Sequence, residues 1–167
     1  MALKIDEIIN LLGPSGPFAS FLKGFESRNE QKEMMRNVLE AYNNSQISLI
    51  EAGTGTGKSL AYLIPAMLWA VQMKEATVIS TNTIPLQEQL LNKDIPLISK
   101  ALNLSIKAVI VKGMQNYLCL RKFYDAQHEL LLIPPQEAEE MQKIEAWKET
   151  TTDGSRSSLP FAPSSQV

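Results

Sequence analysis

The residues best placed to do chemistry are Ala52-Gly53-Thr54-Gly55-Thr56-Gly57-Lys58-Ser59. Three glycines in alternation let the backbone curl until successive N–H groups converge on one point, which makes a nest for an anion. A helix starting at the last glycine adds the positive end of its dipole to that nest. Lys58 supplies a mobile cation for β- and γ-phosphates, and the Ser59 hydroxyl is the expected Mg²⁺ ligand. The spacing is that of a P-loop, with Ala52 standing where the general motif has its first glycine. The expected ligand is therefore a nucleotide with its Mg²⁺. Lys58 and Ser59 would face the reacting phosphates, and Ala52, Gly53, Thr54, Gly55, Thr56 and Gly57 would line the cradle. A P-loop by itself leaves kinases, GTPases, clamp loaders and helicases open.

Such a loop works only between a buried strand and a helix, and the flanks supply both readings. Residues 47–53, ISLIEAG, form a short apolar run stopped by glycine, while 57–73 read as a helix in which Pro65 implies a kink or a lost hydrogen bond. ATVIST (76–81) and IKAVIVK (106–112) read as two more buried strands, and Pro85 suits the first turn of a helix carrying Leu86, Gln89 and Leu90. Strand, helix, strand, helix, strand at this spacing predicts an α/β fold, a parallel sheet with flanking helices. Upstream, Ser27 and Glu30 are spaced as a capping box for a helix whose stripe is Met34, Met35, Val38, Leu39 and Tyr42. GPSGP (13–17) breaks an earlier amphipathic segment containing Ile5, Ile8, Ile9 and Leu12. Residues 113–149 read as helical, broken at Pro134-Pro135. Residues 150–167, rich in Ser, Thr and Pro, read as a disordered tail.

Composition bounds the remaining choices. The 167 residues carry 44% apolar and 20% charged side chains and a net charge of −2, an ordinary globular balance that excludes a nucleic-acid-coating protein, so any DNA site must be local. One cysteine, Cys119, excludes an intramolecular disulfide framework and a self-sufficient thiolate metal cage. The run Leu60–Val71 is too short, and too interrupted by Pro65, to span a membrane. The acidic, cleavage-site-free start MALKIDEIINLL does not read as a signal peptide, so the expected home is the cytoplasm, with no membrane partner. Lys100, Lys107, Lys112, Arg121 and Lys122 fall between Ile95 and Tyr124 with no acid among them. That stretch suits a DNA path or a solvated face equally.

Three segments in order then point to one family. AGTGTGKS resembles the alanine-first loop of superfamily 2 helicases. FESRNEQ resembles the helicase Q-motif, which implies that Arg28 and Gln31 help bind the nucleotide, the glutamine amide reading the adenine edge with its donor and acceptor. STNTIPLQEQ resembles helicase motif Ia, which implies sugar-phosphate contacts by Thr81, Thr83 and Gln89, with Leu86 on the same pattern. Residues 5–124, ending in VKGMQNYLCLRKF, resemble the N-terminal part of a DinG/XPD-type DNA helicase. The resemblance implies a partial RecA-like domain over 27–112, preceded by an N-terminal helix and connector (1–26). It also implies the start of an iron–sulfur-type helical insertion over 113–149, and a truncated tail thereafter. For the parent protein it implies ATP-driven 5′ to 3′ movement on single-stranded or forked DNA, in repair or replication.

In that family the K-G-x-x-N-Y-L-C context, here Lys112 to Cys119, holds the first ligand of a 4Fe-4S cluster. A cluster needs four thiolates, so one is expected only if further cysteines follow Val167. His128, the only histidine, is expected to be solvated. The family also needs an apolar strand ending in Asp-Glu to hold Mg²⁺ and activate water, and the only Asp-Glu pair here is Asp6-Glu7, upstream of the loop. The chain alone is therefore expected to bind ATP weakly, hydrolyse it negligibly and unwind nothing. The alternatives are a stand-alone, non-hydrolysing nucleotide-binding module and a small P-loop kinase or other NTPase.

Overall fold

The computed structural model describes residues 2–128 and 134–164, which form two compact units, Met1–Ile110 and Val111–Val167. In the first unit the helices are α1 (Ile5–Ile9), α2 (Pro17–Phe21), α3 (Asn29–Asn44), α4 (Lys58–Met73), α5 (Ile84–Gln89) and α6 (Ile95–Leu102). A short 3-10 turn, Asn10–Leu12, extends α1, and a π-type turn, Leu90–Asp94, joins α5 to α6.

The centre of this unit is α4, because its sequence is apolar on nearly every face and such a helix must be covered all round. Ala61, Leu63, Ile64, Pro65, Ala66, Met67 and Leu68 are all buried. The helix continues through Pro65, whose missing N–H is tolerated inside this packing. Against α4 lies α3, contributing Met35 and Leu39 from the predicted stripe, with Met34 partly buried at its edge. Ile8, Ile9, Leu12 and Phe18 close the core from the N-terminal side. That N-terminal segment is pinned to the end of α3, where the Asn43 side-chain amide accepts from Leu3 N at 2.7 Å and donates to Leu3 O at 2.9 Å.

Two local expectations change. Ser27 does not cap α3; its hydroxyl donates to Leu12 O at 2.7 Å, tying the connector to the core, and Arg28 takes the capping position without a side-chain capping bond. More consequentially, the parallel sheet is not formed among the described residues. The runs 47–53, 76–81 and 106–112 carry no ladder, and the one bridge joins Tyr117 and Ser155. A parallel strand satisfies its backbone only beside a neighbour in register, and its two apolar faces only under flanking helices. Without those neighbours Ile47 and Leu49 are fully exposed, and Val78 and Val109 nearly so.

The second unit contains α7 (Leu120–His128) and α8 (Pro135–Lys148), with Phe123, Met141, Ile144 and Trp147 as its core. Pro134 caps α8, while the residues just before it, 129–133, lie outside the described residues. Residues 150–164 are not the structureless tail their composition predicts; 165–167 are outside the described residues. Leu118 N donates to Gly154 O at 2.9 Å, Trp147 Nε1 donates to Ser158 O at 3.2 Å, and Leu159 and Phe161 pack on the core. Local hydrogen bonding of a Ser- and Thr-rich run with its own turns, anchored by one tryptophan, replaces the missing apolar periodicity.

Candidate nucleotide site

The loop between residue 52 and α4 takes its shape from two glycines. Gly55 (φ 79°) and Gly57 (φ 80°, ψ 30°) are left-handed, a conformation that costs other residues about 1–2 kcal/mol. Gly57 is also the residue from which α4 departs, so the positive end of that helix meets the loop.

The loop carbonyls are tied back by side chains. Lys58 Nζ donates to Ala52 O at 2.9 Å and to Gly53 O at 2.8 Å, and Thr56 Oγ1 donates to Gly53 O at 3.0 Å. Arg28 Nη1 donates to Gly55 O, and Gln31 Nε2 donates to Gly57 O at 2.8 Å. Among the described hydrogen bonds, none is donated by a backbone N–H of residues 53–58. A nest for an anion needs backbone N–H groups without other partners, and those of residues 53–58 have none among the described hydrogen bonds.

The structure places Arg28 and Gln31 against the loop carbonyls of Gly55 and Gly57, a contact the sequence did not indicate. Gln31 is buried, and its amide holds the Gly57 carbonyl. Beside it opens a cleft of about 280 Å³ lined by Leu22, Phe25, Arg28, Gln31, Thr56 and Gly57 among others. Its lining is mixed, with Leu22, Phe25 and Leu60 apolar and Lys23, Glu26, Arg28, Gln31 and Thr56 charged or polar. In the sequence, Leu22 and Phe25 carry no motif beyond the aromatic-rich run of residues 18–25.

Of the motif Ia residues, Thr83 precedes α5 and is exposed, and Thr81 Oγ1 donates to Thr83 O at 3.2 Å. Gln89 turns its amide to the buried Asp94, Nε2 to Oδ2 at 3.2 Å, which leaves it partly committed within the protein. Asp94 and its π-type turn had no marker in the sequence beyond the acid of Lys93-Asp94-Ile95-Pro96.

In the second unit Cys119 is exposed, and no cluster of three or more potential metal ligands occurs among the described residues. A single thiolate does not fit a 4Fe-4S cluster. Lys112 donates to Ser155 Oγ at 2.8 Å and Ser157 Oγ at 2.7 Å. Arg121, Lys122 and His128 are exposed. No helix among the described residues is long and apolar enough to cross a membrane.

Residues 28–153 match the DEAD/DEAH box helicase family. The chain is 39% identical over 149 residues to the ATP-dependent DNA helicase YoaA of Haemophilus influenzae, covering 89% of this chain and 23% of that protein. It is 41% identical over 117 residues to the 3'-5' exonuclease DinG of Bacillus subtilis, covering 70% of this chain and 13% of that protein. With the ATP-dependent helicase DinG of Mycobacterium tuberculosis it shares 35% identity over 153 residues, covering 81% of this chain and 23% of that protein. The chain therefore spans less than a quarter of the length of these relatives.

Proposed function

The chain belongs to the DEAD/DEAH box helicase family, and from that premise we propose that it is the ATP-binding N-terminal part of a DinG-like, ATP-dependent DNA helicase. The observation that carries the reading is the loop at 52–59. Its carbonyls are held by Lys58, Thr56, Arg28 and Gln31, while its N–H groups are uncommitted among the described hydrogen bonds. In this reading the loop binds the nucleotide phosphates, Lys58 neutralises the β- and γ-phosphates, and Ser59 ligates Mg²⁺. The base enters the cleft lined by Phe25, Arg28 and Gln31. When bound, Mg²⁺ supplies charge neutralisation at the phosphates. Thr81, Thr83 and Gln89 form the side that meets the sugar-phosphate backbone of DNA. In the parent protein this engine moves 5′ to 3′ along single-stranded or forked DNA in repair or replication.

Residues 1–167 include no apolar run ending in Asp-Glu to hold Mg²⁺ and activate water, so by themselves they are expected to bind nucleotide without turning it over. The kinase alternative is set aside by the family match. Cys119 alone does not hold a cluster, and no step is routed through one.

Titration of the chain with Mg²⁺-ADP, Mg²⁺-GDP and adenosine tests the reading. The phosphate loop predicts saturable binding of both nucleotides, the cleft predicts preference for ADP, and adenosine should bind at least about tenfold more weakly, a loss of about 1.4 kcal/mol. Equal affinity for adenosine and ADP would remove the phosphate site, and DNA-stimulated ATP hydrolysis by this chain would remove the claim that it lacks turnover.

A further inference from the structure

Two runs of the first unit present both their backbone and an apolar face to solvent. Over 104–110 burial alternates with period two: Leu104, Ile106, Ala108 and Ile110 are half-buried, while Ser105, Lys107 and Val109 are exposed. Over 47–51 the side chains of Ile47, Leu49 and Glu51 are exposed, those of Ile47 and Leu49 fully. Among the described backbone hydrogen bonds, none is made by residues 47–51 or 105–110. Such a run lacks only a neighbouring strand and is a template for pairing. Proteins usually guard a template of this kind with proline or with several charges. Here residues 47–50 carry neither, and 105–110 carry Lys107 alone.

We propose that these runs form an interface with a second copy of the chain, residues 47–51 of one copy pairing antiparallel with residues 107–110 of the other. The two runs do not pair within the chain, where the one bridge among the described residues joins Tyr117 and Ser155. Between copies, charge and apolar character select one register. With Leu49 opposite Val109, Glu51 falls opposite Lys107, so an apolar pair and an ion pair form side by side on the same exposed face. A slip of two residues sets Leu49 against Lys107 or Glu51 against Val109, and a slip of one turns one exposed set to the other face. A parallel alignment that keeps Leu49 on Val109 sets Ile47 against Lys107. The occupant is a second copy because one unit carries both complementary runs, and a twofold axis lets two copies exchange the pair twice. A foreign strand would engage one run and leave the other open. Glu51, Leu49, Lys107 and Val109 lie outside the loop 52–59, so the pairing is independent of nucleotide binding.

Sedimentation equilibrium of the 167-residue chain from about 1 to about 100 µM tests this, with hydrogen exchange read at both ends of that range. The mass should level at twice that of the monomer, and exchange at 47–51 and 105–110 should slow about threefold or more at the higher concentration. Glu51→Lys and Lys107→Glu each set like charges opposite one another and should weaken the dimer about threefold or more. The chain carrying both reversals restores the pair and should return to within about twofold of the unaltered affinity. Both side chains are exposed, so an unchanged urea midpoint at about 1 µM shows that each variant is folded. A monomer throughout, a mass that climbs past two copies, or a double reversal as weak as the single ones overturns the proposal. So does a monomer in which a synthetic peptide of residues 105–111 slows exchange at 47–51, since the face would then belong to an extended peptide.

Discussion

Gly57→Ala perturbs the loop at the point where backbone conformation and side-chain packing meet. The residue sits at φ 80°, ψ 30°, and an added methyl would meet Gln31 Nε2 at 2.1 Å and Gln31 Cδ at 2.9 Å. The left-handed conformation alone costs an alanine about 1–2 kcal/mol. Pushing the Gln31 amide aside also breaks its 2.8 Å bond to Gly57 O and strands a buried polar group, a further cost of about 1–3 kcal/mol. The expected loss for Gly57→Ala is therefore about 2–5 kcal/mol, and for Gln31→Ala, which removes only the bond and some packing, about 1–2 kcal/mol. In the double variant the methyl meets no amide and the bond is already gone, so the two losses share a component. Urea titrations followed by circular dichroism should give a double-variant loss smaller than the sum by about 1–2 kcal/mol. Additivity within about 0.5 kcal/mol would refute the contact as the reason Gly57 is needed, leaving only its backbone conformation.

Two other outcomes follow from the structure. Trp147→Ala, which empties a buried ring site and removes the bond to Ser158 O, should cost the second unit about 3–5 kcal/mol. Amide exchange should then rise at Leu118 and across 150–158, and unchanged protection there would contradict the anchoring role of Trp147. Tyr42 and Tyr62 both have pKa values raised above 10.0, chiefly by burial. The unfolded phenols lose their protons first, so this stability is present in full below the ordinary tyrosine value and is lost as pH rises through the higher folded values. The urea midpoint should fall above about pH 10, and less steeply in Tyr42→Phe and Tyr62→Phe; identical slopes would contradict the burial of the hydroxyls.

The helical parts of this protein were legible because their signals are local. The apolar wrap of α4, the Met35 and Leu39 stripe of α3 and Pro85 at the start of α5 each follow from spacing along a few turns. The turn at 52–59 has the same kind of local signal, since its glycines at fixed offsets state a backbone shape, and Gly55 and Gly57 are left-handed. The parallel sheet read from 47–53, 76–81 and 106–112 is not formed among the described residues, because a strand is completed by neighbours distant in sequence and an apolar run announces only what it would bury. Ser27 illustrates a finer limit: capping-box spacing is compatible with a hydroxyl that finds a core carbonyl instead. Gln31 shows the opposite case, in which the residue type was informative but its partner, a loop carbonyl, depended on α3 and the loop meeting in space.

If residues 52–59 hold nucleotide phosphate, Lys58→Ala removes the loop's own ammonium from that site. The side chain is exposed and bonds only loop carbonyls in the structure, so its removal should leave the thermal midpoint unchanged. Calorimetric titration with Mg²⁺-ADP should show at least about a tenfold weaker Kd, or no measurable binding. A folded Lys58→Ala chain that binds Mg²⁺-ADP as tightly as the unaltered one would contradict the assignment.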